Sequence, residues 1–119
     1  MGGESSAGPL AADAPDAHRY FMRLDLDEIE AIRAAVRAVC GPRAKVRVFG
    51  SRADDRARGG DLDLLIEVEP GQATLTNEVA LRDRIEPALD DLRVDIVFHE
   101  RGRPLSAIAQ IAHRDGVLL

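Results

Sequence analysis

Apolar residues from position 24 onward recur at two different periods, and each change of period marks a change of element. Leu26, Ile29, Ile32, Val36 and Val39 follow helical spacing, which predicts a first helix. Asp25 supplies its N-cap, Glu28 stands three residues later as a capping box requires, and Leu24 with Ile29 form a hydrophobic staple. Gly41-Pro42 ends it, since glycine tolerates the left-handed turn and proline cannot continue the helix. The period then drops to two. "KVRVF" (45–49) predicts a short strand with Val46 and Val48 on one face, and "DLDLLIEVE" (61–69) a second strand broken by "EPGQ".

Residues 75–91 return to helical spacing, with Leu75, Val79, Ile85 and Leu89 as the expected apolar set. Pro87 removes a helix donor and crowds the preceding turn, so a kink or two short helices are expected. "LRVDIVF" (92–98) predicts a third strand, with Leu92, Val94, Ile96 and Phe98 on one face and Arg93, Asp95 and Val97 on the other. Pro104 suits the start of a final helix bearing Leu105, Ile108 and Ile111, which Gly116 stops before "VLL". The order is α-β-turn-β-α-β-α. The fold class is α/β (α+β), a small mixed β-sheet with helices packed on it.

Composition adjusts this picture at the ends and in the core. Residues 1–18 are rich in Gly, Ser, Ala and Pro without periodicity and read as a disordered tail, leaving 19–119 as one domain. Aromatic residues make up 3% of the chain against 45% hydrophobic, so the core is aliphatic. The net charge of −5 argues against direct nucleic-acid binding, which relies on Lys and Arg to neutralise phosphates. Cys40 is the one cysteine, which excludes an internal disulfide and reads as a small hydrophobe closing the first helix. No apolar run suits a membrane span and no signal-peptide layout opens the chain, so a cytoplasmic location is expected.

Candidate chemistry lies around the second strand. Alternation places Asp61, Asp63, Leu65 and Glu67 on one face, with Asp61 and Asp63 roughly 7 Å apart at their Cα atoms. Their carboxylates can converge on one divalent cation or bracket two. Asp95 adds a third carboxylate if its strand is a neighbour, and such hard oxygen ligands suit Mg²⁺ or Mn²⁺. Gly50-Ser51, just after the first strand, offers backbone N–H groups and a hydroxyl to phosphates, and Arg52 offers a cation. Taken singly, Gly-Ser is a turn, Asp-Leu-Asp an exposed strand face, and Asp95 a guard against edge aggregation. Their occurrence together, in this order and spacing, favours phosphoryl or nucleotidyl chemistry. His99, His18 and His113 show no metal-ligand spacing, and Glu67 stands too far along the strand to share an ion with Asp63. Arg93 shares the face of Asp95 and is a candidate for neutralising the acidic cluster.

The run from Phe49 to Leu64, with Gly-Ser followed after nine residues by Asp-Leu-Asp-Leu, and the later Val94–Ile96 strand resemble the polymerase beta-type nucleotidyltransferase superfamily. The small size resembles its minimal (MNT) antitoxin-like branch, over residues 24–119. The resemblance implies that Gly50 and Ser51 hold the nucleotide phosphates and that Asp61 and Asp63 bind metal. It implies that Asp95 binds the catalytic metal and helps deprotonate the attacking hydroxyl. By the same resemblance, ATP is the substrate, Mg²⁺ or Mn²⁺ the cofactor, and a HEPN-domain toxin the helical partner in a hetero-oligomer. AMP would pass to a tyrosine of that toxin, making the chain the antitoxin of the pair. Asp54-Asp55 stand where many relatives carry a glycine. That departure, with the small size, supports an alternative: a non-catalytic binding module of the same fold that neutralises or scaffolds its partner by contact.

Overall fold

The computed structural model describes residues 24–49 and 62–119. Its elements are α1 (Leu26–Cys40), β1 (Lys45–Phe49), β2 (Leu62–Val68), α2 (Leu75–Ala88), β3 (Val94–Glu100), α3 (Ala107–Asp115) and β4 (Val117–Leu118). The expected tail at 1–18 and the turn chemistry of 50–61 lie outside the described residues.

The first helix forms as its sequence signals require. The Asp25 carboxylate accepts from the Glu28 N–H at 2.8 Å, and the Glu28 carboxylate accepts from the Asp25 N–H at 2.9 Å, closing the capping box. Gly41 takes φ 98°, where a side chain is disfavoured, and its N–H donates to Arg37 O. Leu24 is buried and Ile29 half-buried in the same apolar cluster, as a staple requires. Leu26 is a correction to the expected apolar set: it is 82% exposed. At 3.6 residues per turn it falls roughly 100° from the centre of the stripe that Ile32, Ala35, Val36 and Cys40 bury. Cys40 closes the helix in the core, and burial pushes its thiol pKa up.

The four strands form one mixed sheet in the order β3-β2-β1-β4. β1 runs antiparallel to β2 and β4, while β2 and β3 run parallel, with α2 as the crossover that parallel neighbours need. The fold class therefore agrees with the sequence pattern. The two-residue strand β4, cut from "VLL", has no period long enough to announce itself and was not expected.

One sheet face carries the main core. Val46, Val48, Leu64, Ile66, Val68 and Val94 meet α1 and α2 there. Each fully buried aliphatic side chain contributes about 1.5–3 kcal/mol. On α2 the expected set needs correction: Leu75 and Val79 are exposed, whereas Leu81, Ile85 and Leu89 are buried. At 3.6 residues per turn Leu75 and Val79 fall roughly 100° and 140° from the centre of the face that Leu81 and Ile85 bury. Pro87 does not divide the helix either. It stands one residue from the helix end, where the missing donor costs a single hydrogen bond.

Asp90 and Asp91 then take left-handed φ values of 57° and 64°, which aspartate tolerates, and the Asp91 N–H returns to Glu86 O at 2.7 Å. That turn delays β3 to Val94, two residues later than expected, and the strand continues through Glu100.

The opposite face is covered by α3, where Phe49 and Leu65 meet Ala109 and Ala112, flanked by Val97 and Leu105. The expected anchors Ile108 and Ile111 are exposed instead. Alanines face the strands, and their small size lets the helix lie close to the sheet. Gly116 has a comparable reason: a Cβ there would strike the carbonyls of Ala112 and Val48.

Candidate functional site

The acidic face is assembled by strand register. Asp63 pairs with Phe49 of β1 on one side and with Asp95 of β3 on the other. Register partners on parallel neighbours project to the same face, and the strands lie about 4.8 Å apart. Two carboxylates are thus brought side by side from positions 32 residues apart in the chain, each half-buried. The flanking residues Leu62, Leu64 and Val94 are anchored in the core beneath, which fixes the direction both aspartates take. Neither Asp63 nor Asp95 is without an interaction partner.

Two hydrogen bonds pin the ends of these strands. The Leu62 N–H donates to Arg93 O at 2.9 Å, and the Val94 N–H donates to the Glu86 carboxylate at 2.9 Å. Glu86 therefore ties α2 to the outer edge of β3 one residue before Asp95. Sequence reasoning missed this role, since a glutamate beside Pro87 near a helix end carries no signal for a contact eight residues on.

Farther along the face, α3 closes it. Leu65, two residues beyond Asp63, is buried against Ala109 and Ala112, so among the described residues α3 covers this face beyond the start of β2 and β3. Glu67 is removed from any shared site by Arg101, whose guanidinium donates to Glu67 at 3.1 Å, to Glu69 at 2.6 Å and to Arg43 O at 2.8 Å. The Arg101 hydrogen bond holds the Glu69 carboxyl below the usual glutamate range. His99, at the far end of β3, places Nε2 2.8 Å from Arg103 O. A carbonyl only accepts, so Nε2 carries the proton and the ring closes a strand end. Arg93 forms no ion pair among the described residues, so none ties it to the acidic face.

Of the residues singled out in the sequence, the structure brings Asp63 and Asp95 together. Asp61, Gly50, Ser51 and Arg52 lie outside the described residues. Among the described residues no group of three or more acidic, histidine or cysteine side chains is arranged to hold a metal ion. The pair of hard oxygen donors fits a divalent cation such as Mg²⁺ and would need further ligands to complete its shell.

A family model described as "Nucleotidyltransferase domain" matches residues 29–115, spanning α1 through α3 and both aspartates. The chain belongs to the nucleotidyltransferase domain family. A solved structure described as a minimal nucleotidyltransferase is 35% identical and superposes with a TM-score of 0.57, covering 82% of this chain and 99% of that one. No curated protein matches significantly. In this chain the mixed sheet carries Asp63 and Asp95, and the helices pack on its faces. No helix among the described residues is long and apolar enough to cross a membrane.

Proposed function

We propose that this nucleotidyltransferase-domain chain is a module that acts on a partner protein by binding it. The observation that carries this reading is the aliphatic surface its helices leave uncovered. Ile108 and Ile111 sit one turn apart on α3, and Leu75 and Val79 one turn apart on α2, all exposed. Side chains of this size, in rows on rigid helices, supply contact area to a helical partner.

A second, finer reading adds chemistry, and the register of Asp63 with Asp95 supports it. In that reading Asp61, Asp63 and Asp95 hold Mg²⁺ or Mn²⁺, and Gly50, Ser51 and Arg52 hold the triphosphate of ATP. A cation held there would supply positive charge against the phosphates and lower the pKa of the attacking hydroxyl. A tyrosine hydroxyl of a HEPN-type toxin attacks the α-phosphorus, with Asp95 accepting its proton. An oxygen–phosphorus bond forms, the bond to the β-phosphate bridging oxygen breaks, and pyrophosphate leaves with that electron pair. The chain would then act as antitoxin by covalent modification.

One experiment separates the two. A candidate HEPN partner is incubated with this chain, ATP and Mg²⁺, then examined by size exclusion and intact mass beside an Asp63→Asn control. A complex without mass change supports contact alone. An added AMP unit that disappears with Asp63→Asn supports transfer. Neither complex nor mass change for the candidate removes that protein as partner under both readings.

A further inference from the structure

We propose that the groove between α1 and the β1–β4 edge of the sheet binds an acidic peptide segment carrying aliphatic anchors, contributed by a partner protein. The groove holds about 200 Å³. Arg33 and Arg37 line it from successive turns of α1, Lys45 and Val46 from β1, and Leu118 and Leu119 from the C-terminal strand region. Lys45 is the sole lysine of the chain.

Charge argues for the occupant. Among the described residues none of Arg33, Arg37 and Lys45 forms an ion pair, whereas Arg43, Arg82, Arg101, Arg103 and Arg114 all do. Among the described residues the groove lining includes no aspartate or glutamate side chain. A chain with net charge −5 thus sets three cations, none of them ion-paired among the described residues, around one concavity. Two of them stand at i and i+4 on a helix, a spacing at which like charges repel. A ligand bearing carboxylates relieves that repulsion and forms ion pairs that bulk solvent screens less than on an open surface.

Shape and polarity narrow the class further. Val46 is buried in the groove floor while Leu118 is about half exposed (49%) at the rim, so aliphatic surface lies between the cations. That alternation matches a peptide with leucine-like side chains between acidic ones. A nucleotide base would find no aromatic side chain to stack on among the described lining residues, and three cations on an acidic domain are a weak match for a nucleic-acid backbone. The proposal does not depend on the carboxylate face, and its assay reads binding without nucleotide.

The test is fluorescence anisotropy of the full chain with a labelled synthetic peptide alternating glutamate and leucine, beside its glutamine counterpart. Arg33→Glu/Arg37→Glu is the variant, and both sites are exposed, so circular dichroism is expected to show an unchanged fold. The expected result is saturable binding of the acidic peptide, weakened by salt, lost on replacing glutamate by glutamine, and at least roughly tenfold weaker in the variant. If the variant loses its fold, Lys45→Glu is read in its place. Equal binding to variant and parent, equal binding of the glutamine peptide, or no saturable binding overturns the proposal. Displacement of bound peptide by equimolar tripolyphosphate or a thymidine oligonucleotide also overturns it and marks a general polyanion site.

Discussion

Asp63 on β2 stands opposite Asp95 on β3 in parallel register, so two carboxylates from distant parts of the chain share one face of the sheet. The juxtaposition is unfavourable by itself, since like charges on cross-strand partners destabilise a sheet. Their side-by-side placement on the polar side of β2 and β3 is the observation that supports a functional reading of the pair. If the pair serves transfer, Asp63→Asn and Asp95→Asn each lower it by at least about a hundredfold, in line with loss of a metal ligand. Glu67→Gln, which alters a carboxylate held by Arg101, leaves transfer close to that of the parent. Intact-mass kinetics on the modified partner reads all three. Equal losses at all three positions would contradict a localised site.

Glu86 is expected to position Asp95 through the Val94 N–H. Glu86→Ala removes the acceptor and should accelerate amide hydrogen exchange at Val94, with little change at Leu64 and Ile66 in the sheet centre. Glu86→Gln keeps a carbonyl acceptor and should restore most of the protection. Exchange followed by mass spectrometry distinguishes this local tether from general destabilisation, which would raise exchange throughout the sheet.

Gly116 joins α3 to β4 at a place with no room for a side chain. Gly116→Ala must push apart backbone at Ala112 and Val48, and overpacking of this kind costs about 1–3 kcal/mol. The denaturant midpoint should fall accordingly with an unchanged slope. An unaltered midpoint would show that α3 can shift off the sheet without penalty.

The Arg101 cluster predicts a pH dependence. The folded pKa of Glu69 is depressed from its ordinary value of 4.5, with the Arg101 hydrogen bond as the leading cause. A depressed carboxylate contributes stability above its unfolded pKa and loses it as pH falls through the folded value. Thermal melts should therefore show a loss below pH 4.5 that Glu69→Gln reduces, while Arg101→Met lowers the melting temperature at neutral pH more than in acid. An identical acid profile for parent and Glu69→Gln would remove this pair as a source of the effect.

Asp25→Ala strips the N-cap of α1 and one half of its capping box. Loss of such a cap costs about 0.5–2 kcal/mol. Asp25→Asn or Asp25→Ser should recover much of it, because either side chain can accept from the Glu28 N–H. Urea unfolding of the three variants measures the difference.

The sequence by itself determined the helices and strands whose signals are local. Asp25, Glu28 and Gly41 announced α1 because capping chemistry acts within a turn, and period two announced β1, β2 and β3. It also marked Asp63 and Asp95 as candidates on the polar sides of their strands. Only the tertiary structure decided that those two residues are register partners, since strand order is a long-range choice that alternation does not encode.

Tertiary structure likewise decided which apolar residues are buried. Leu75, Val79, Ile108 and Ile111 satisfy helical periodicity and stay exposed, while Leu81, Ala109 and Ala112 fill the interfaces. Periodicity measures which residues share a helix face, whereas burial depends on where the helix lies over the sheet and how closely its small residues let it approach. The same reason hid Glu86 and Arg101, whose partners lie 8 and up to 58 residues away and become neighbours only after the sheet has formed.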